Sequence, residues 1–144
     1  MLRLETAGPE NWREDLRVSE TQRRFVSDAM KLLARAYAYR EHRSRAYVIY
    51  DGDVPVGMAL YYDCEELGAY NFSQLFIDER YQGKGFGTEA SQQILERMKA
   101  DGRYDKVVLC YIDGNEAAKS MYEKMGFSLT GERDGDEIVM EKML

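Results

Sequence analysis

The chain has one histidine, His42, two cysteines, Cys64 and Cys110, and two prolines, Pro9 and Pro55, among 144 residues. Each scarcity removes a class of chemistry. His42 sits in the arginine-rich stretch "YREHRSR" and reads as a solvated connector residue, which takes most of the support from a His-based triad or a zinc site. The cysteines stand in separate apolar, strand-like runs with no Cys or His nearby. They read as packing thiols, and no metal or redox pair is expected. No apolar run approaches the ~18 residues that cross a bilayer, and "MLRLETAGPENW" lacks the apolar stretch of a secretion signal, so a cytoplasmic protein with no membrane partner is expected.

Positive charge is also in short supply: 20 basic residues against 26 acidic leave a net charge of -6. A surface of that sign repels phosphate backbones, which argues against a nucleic-acid partner and for a cationic one. The local cluster Arg35, Arg40, Arg43 and Arg45 reads as a solvated face. With 44% hydrophobic and 32% charged residues the composition is that of an ordinary globular protein. The length suits one core, so residues 1–144 are expected to form a single domain.

Periodicity organises the chain as a mixed sheet of about seven strands with three or four helices. "LRLETA" alternates as a short strand. Ser19 with Gln22 three residues on has the spacing of a capping box, ahead of a helical stripe of Phe25, Ala29, Leu32, Leu33 and Ala36 that ends near Arg40. Two β-rich runs flank "DGD", and a third, "YNFSQLFID", precedes a glycine-rich turn. Phe86, Ala90, Ile94 and Met98 share a helical face that Gly102 stops. "KVVLCYI" has the character of a strand buried on both faces. Asn115 can start a short helix with Ala118, Met121, Tyr122 and Met125 on one side, and two strands around a second "DGD" finish the chain.

The richest local signal is "DERYQGKGFGTEA", residues 78–90. A strand feeding a helix through glycines offers consecutive backbone N–H groups at the positive end of a helix dipole, an anion site suited to phosphate. It is not a phosphate-loop NTPase motif: with Gly83 and Lys84 as its G-K, the first glycine would fall on Asp78 and the hydroxyl residue on Gly85. A dinucleotide fingerprint read from Gly85 ends acceptably at Ala90, but it follows three hairpin-like strands instead of opening a βαβ unit.

Gln82, Gly85 and Gly87 instead form Q-x-x-G-x-G after a strand and before a helix. Downstream, "NEAAKSMYEKMGF" sets Asn115, Ala118, Tyr122, Gly126 and Phe127 in N-x-x-A-x-x-x-Y-x-x-x-G-F, one helix and one strand away. In both blocks the chain resembles the GNAT superfamily of acyl-coenzyme A dependent N-acetyltransferases, and the likeness runs over residues ~46–144 in strand order. It implies an α/β (α+β) fold with a mostly antiparallel sheet of six to seven strands, helices on both faces and a splayed central strand pair. It further implies acetyl-coenzyme A as cosubstrate, with the main chain of Leu75, Phe76 and Ile77 along the pantetheine arm. The amides of Gln82, Gly83, Lys84, Gly85, Phe86 and Gly87 would cradle the pyrophosphate, Thr88 would add a hydroxyl, and Lys84 would add charge or simply be solvated. Tyr122 matches the family tyrosine that protonates the departing thiolate. Asn115 would bind coenzyme A or cap its helix.

No base emerges from the sequence. In the polyamine-acetylating branch a carboxylate often stands where Ser73 and Gln74 fall here, and neither of these can deprotonate an ammonium. Glu65 or Glu66 could act through water or be plain turn acids. Looser matching favours the bacterial spermidine/diamine branch, with Glu5, Glu20, Asp63, Glu65 and Glu66 plus Tyr61, Tyr62 and Tyr70 lining an acidic, aromatic cleft beside Ser73 for a small cationic amine. Aminoglycosides, an amino acid, a protein N-terminus and a sensor that binds acyl-coenzyme A without turnover stay open. A homodimer paired through the last strand, "EIVMEKML", taken as a sheet edge, is also expected.

Overall fold

In a computed structural model, described for residues 1–23 and 28–144, seven strands form one sheet in the order β1-β2-β3-β4-β5-β7-β6. The strands are β1 (Leu2–Thr6), β2 (Arg45–Asp51), β3 (Val54–Cys64), β4 (Ala69–Ile77), β5 (Lys106–Ile112), β6 (Ser128–Asp134) and β7 (Glu137–Met143). Every neighbouring pair is antiparallel except β4 with β5. Three α-helices accompany them: α1 (Ala29–Ala38), α2 (Phe86–Asp101) and α3 (Glu116–Lys124).

Strand alternation divides the core in two. From β2, Tyr47 and Ile49 join the cluster under α2, where Ala90, Ile94 and Met98 are fully buried. The intervening Val48 and Tyr50 join the opposite cluster, which Leu32, Leu33 and Ala36 of α1 close with Leu16 and Val18. Helices therefore cover both faces. The face of α3 read from the sequence holds: Ala118, Met121, Tyr122 and Met125 all pack on the α2-side core.

Several expectations need correction. Ser19 does not cap a helix; residues 20–23 are turns, with Gln22 N donating to Ser19 O, and α1 starts ten residues after Ser19 behind Asp28, whose carboxylate accepts from Lys31 N at 2.8 Å. Phe25 lies outside the described residues. The last strand is not an edge, because β7 is paired with β5 on one side and β6 on the other. The dimer argument drawn from it has no footing. Arg43 and Arg45 are not a solvated pair: Arg43 Nε reaches Asp63 at 2.6 Å and its Nη2 reaches Asp101 at 2.9 Å, while Arg45 Nη1 reaches Asp63 at 3.1 Å. Cys110 is not a packing thiol but an exposed one, bordering an open cavity beside β4.

Candidate active site

The site originates where β4 and β5 part. They pair in register only at Tyr70 with Val107 and Asn71 with Val108, although β4 runs on to Ile77 and β5 to Ile112. From Phe72 onward β4 keeps β3 on one edge and has no β5 partner on the other. Unpaired peptide groups along an internal strand call for a hydrogen-bonding guest. The gap opens into a cleft of about 500 Å³, lined by Phe72 to Leu75 on one side and Cys110 to Ile112 on the other, with α3 as a wall. A second, more apolar hollow of about 300 Å³ continues it toward the glycine turn, sharing Leu75, Asn115, Ala118 and Met121.

Asp78 fixes the end of β4. Fully buried, it accepts from Arg17 N and Arg80 N, both at 2.9 Å, and from Arg80 Nε at 2.8 Å. Burial alone would raise its carboxyl, but these donors overcome that and hold it below the usual carboxylate range. Gln82 then folds back, donating to Ile77 O at 2.9 Å and to Gln22 Oε1 at 2.7 Å. Gly83 and Gly85 take left-handed φ of 79° and 81°, which turn the chain so that α2 begins at Phe86. A Cβ on either would meet nothing within 4 Å, so glycine is required there by backbone conformation, and the space over the turn is open.

Tyr122 lies in the wall of the cleft on α3, 9% exposed, edge-on to Phe72 at 6.3 Å and to Phe127 at 5.5 Å between ring centres. Among the described residues its hydroxyl makes no hydrogen bond, and its oxygen is not among the enclosed unpartnered atoms, so it opens to the cleft. Burial pushes that phenol well above the ordinary tyrosine range, so it keeps its proton at neutral pH. Asn115 caps α3, its side-chain oxygen accepting from Ala118 N at 3.3 Å, and it also borders both hollows.

The structure gathers most but not all of the residues singled out by sequence. Leu75, Phe76, Ile77, Gln82, Gly83 and Gly87 line the apolar hollow, whereas Lys84, Gly85, Phe86 and Thr88 border neither cavity, and Phe86 turns its ring toward the core. Ser73 lines the cleft and accepts from Arg35 Nη1 at 3.1 Å. Glu20, Glu65 and Glu66 line neither cavity. The two glutamates stand in the 3₁₀ turn that leads into β4, at the end of the sheet away from the opening. Asp63 is held by three arginines, Glu5 by Arg3, and Tyr61 and Tyr70 belong to the core, so of the expected acidic, aromatic lining only Tyr62 remains. Sequence reasoning missed Arg23, Lys31, Arg35, Tyr39 and Glu137, all in the cleft wall. A signal existed for three of them: Lys31, Arg35 and Tyr39 recur every fourth residue, one helical row beside the apolar stripe of α1.

Among the described residues, no group of three His, Cys, Asp or Glu side chains is arranged to hold a metal. No helix among them is long and apolar enough to cross a membrane.

A strand-to-helix glycine turn beside a parted parallel pair, with a proton-bearing phenol at the inner end, suits a long thioester carrier with an anionic segment. Comparison with known proteins agrees. The model of the Acetyltransferase (GNAT) family matches residues 10–127, and the chain belongs to that family as an acetyl-coenzyme A dependent N-acetyltransferase. Among curated relatives, the spermine/spermidine N(1)-acetyltransferase of Bacillus subtilis (strain 168) is 28% identical over 137 residues, which are 90% of this chain and 89% of that one. Among solved structures, the spermidine N-acetyltransferase of Vibrio cholerae in complex with coenzyme A and spermine superposes with a TM-score of 0.77 at 19% identity, covering 99% of this chain and 95% of that one. An aminoglycoside acetyltransferase in complex with coenzyme A superposes nearly as well, with a TM-score of 0.76 at 15% identity over 99% and 95% of the two chains.

Proposed function

We propose that the chain acetylates a primary amine of a small molecule by direct attack within a ternary complex, with the acetyl carrier in the gap between β4 and β5 and Tyr122 as proton donor. The observation that carries this reading is the position of Tyr122: a buried, proton-retaining phenol with no partner among the described residues, facing the cleft where the two strands part. Along Leu75, Phe76 and Ile77 the side of β4 turned from β3 has no strand partner and can meet the pantetheine arm, apart from Ile77 O, which Gln82 holds, and the amides from Gln82 to Thr88 stand at the N-terminus of α2 for the pyrophosphate.

As the acceptor nitrogen bonds to the acetyl carbon and the carbon–sulfur bond breaks, Tyr122 gives its proton to the departing sulfur and regains one from solvent. The surplus proton on nitrogen passes to water. Glu137, the one carboxylate in the cleft wall among the described residues, is the protein group best placed to receive it by way of that water. A polyamine or diamine such as spermidine is the acceptor that the names of the relatives favour.

The test is thiol release from acetyl-coenzyme A in the presence of amines, with Tyr122→Phe beside the wild type. Loss of general acid catalysis is worth about 10²- to 10⁴-fold in kcat. That drop, with coenzyme A affinity unchanged, is expected; full turnover by Tyr122→Phe would overturn the role.

A further inference from the structure

The chain as a whole is acidic, yet the acceptor side of the cleft is not. Among the described residues, Arg23, Lys31 and Arg35 enter its wall from the first helix and the turn before it, against the single carboxylate of Glu137. Of the other described arginines, those at positions 3, 17, 43, 45, 80, 103 and 133 each have a carboxylate within 4 Å, and Arg13, Arg40 and Arg97 lie over the rings of Trp12, Tyr37 and Tyr47 instead. Among the described residues, Arg23, Lys31 and Arg35 have none. Arg35 is half-buried and spends one nitrogen on the neutral hydroxyl of Ser73, at 3.1 Å, leaving the rest of its planar donor fork directed at the cleft. A protein that pairs most of its guanidiniums elsewhere but leaves cations unmatched around a concave site has left them for an anion that arrives with the ligand.

The anion is distinguishable from the carrier's own phosphates by place. The hollow at the glycine turn is lined by Gln82, Gly83 and Gly87, whereas Lys31 and Arg35 border only the other cavity, beside Ser73, Tyr39 and Tyr62. A polyamine would bring further positive charges to a wall that already carries three. Like charges repel more strongly as water leaves the space between them.

We infer that the preferred acceptor is a primary amine that also carries an anionic oxygen group, carboxylate or phosphate, which Arg35 and Lys31 hold while the amine points toward Tyr122. This rests on the acetyl-transfer reading and narrows its substrate class. Arg35 supplies the bidentate contact and Ser73 sets its orientation. Tyr39 and Tyr62, stacked with ring centres 4.1 Å apart, form the adjoining wall against which the body of the acceptor lies.

The experiment compares matched amines in the thiol-release assay with acetyl-coenzyme A: propylamine with β-alanine, ethanolamine with O-phosphoethanolamine, an α-amino acid amide with the free amino acid, and spermidine and putrescine as polycations. The expected result is kcat/KM at least ~10-fold higher for the anionic member of one or more pairs, the phosphate and carboxylate arms telling the two anions apart. In Arg35→Gln that advantage should shrink by about 10- to 100-fold, the worth of a charge-assisted hydrogen bond. The KM for acetyl-coenzyme A should hold, and turnover of spermidine should rise, a gain that a merely damaged fold would not give. Equal turnover within every pair, or spermidine preferred by the wild type and unaffected by Arg35→Gln, would overturn the inference while leaving acetyl transfer intact. No thiol release with any amine, despite coenzyme A binding, would overturn the transfer reading itself and this inference with it.

Discussion

At the scale of single residues the proposed chemistry turns on the protonation of Tyr122. Its phenol lies against Phe72 and Phe127, and burial raises its pKa, so the acidic form persists through and beyond the range in which free tyrosine titrates. The acceptor amine must be neutral to attack, so kcat/KM is expected to climb with pH as the amine loses its proton. No descending limb from Tyr122 should appear below about pH 10, the ordinary phenol value. A pH profile of kcat/KM for thiol release checks this, and a fall setting in near pH 8 to 9 would mean that another group supplies the proton. Tyr122 was legible in the sequence because a motif names its position. Arg35 was not, because a row of cations beside an apolar stripe has the same appearance whether solvent or a cleft faces it. Only the fold, which lays α1 across β2 and β3 and stops short of β5, tells the two apart.

At the scale of elements, the strands, α2 and α3 follow from pattern: Gly102 stops α2 and Asn115 starts α3 as their residue types dictate. The start of α1 was misread because both Ser19 and Asp28 are good capping residues, and only tertiary packing chooses between them. The glycine turn separates two physical demands on glycine. Gly85 needs its left-handed φ of 81° but has empty space where a Cβ would go. Gly57 lies so close to β4 that a Cβ would fall 2.3 Å from Phe76 O. Gly85→Ala should therefore cost about 1–2 kcal/mol of backbone strain and raise the KM for acetyl-coenzyme A. Gly57→Ala should cost more in stability, because backbone must move to admit it. Denaturant melts and acetyl-coenzyme A kinetics on the two variants separate the effects. A Gly85→Ala protein with unchanged stability and KM would remove the turn from the binding site.

At the scale of the whole molecule, one charge network ties the sheet to its helices at the end away from the cleft. Asp63, 1% exposed at its side chain, is approached by Arg43, Arg45 and Arg103. Asp101, at the end of α2, accepts from Arg43 and from the hydroxyl of Tyr70 at 2.5 Å. Arg43 keeps a left-handed φ of 52° to make both contacts. The hydrogen bonds from Arg43 and then Tyr70 hold the Asp101 carboxyl well below its ordinary value. A depressed carboxyl contributes stability that is present above the unfolded-state pKa and is lost as pH falls toward the folded one. Midpoints of urea unfolding should hold from about pH 7 to 5 and drop steeply below about pH 4, and Asp63→Asn should lower stability by about 1.5–3 kcal/mol at pH 7. A flat acid limb would show that the network is ornamental. None of this was legible beforehand, because partners 18 to 58 residues apart meet only through sheet register, and the same long-range pairing made β7 an interior strand instead of an edge.

Register is also what opens β4 from β5, and the proposed function depends on that opening. The direct measurement is amide hydrogen exchange across the chain with and without saturating coenzyme A. Marked slowing should appear at residues 72–77 of β4 and 82–88 of the glycine turn, where peptide groups now lack partners in the sheet or stand at the start of α2. Bound coenzyme A that left both segments exchanging at their free rates would contradict the placement of the carrier and, with it, the role given to Tyr122.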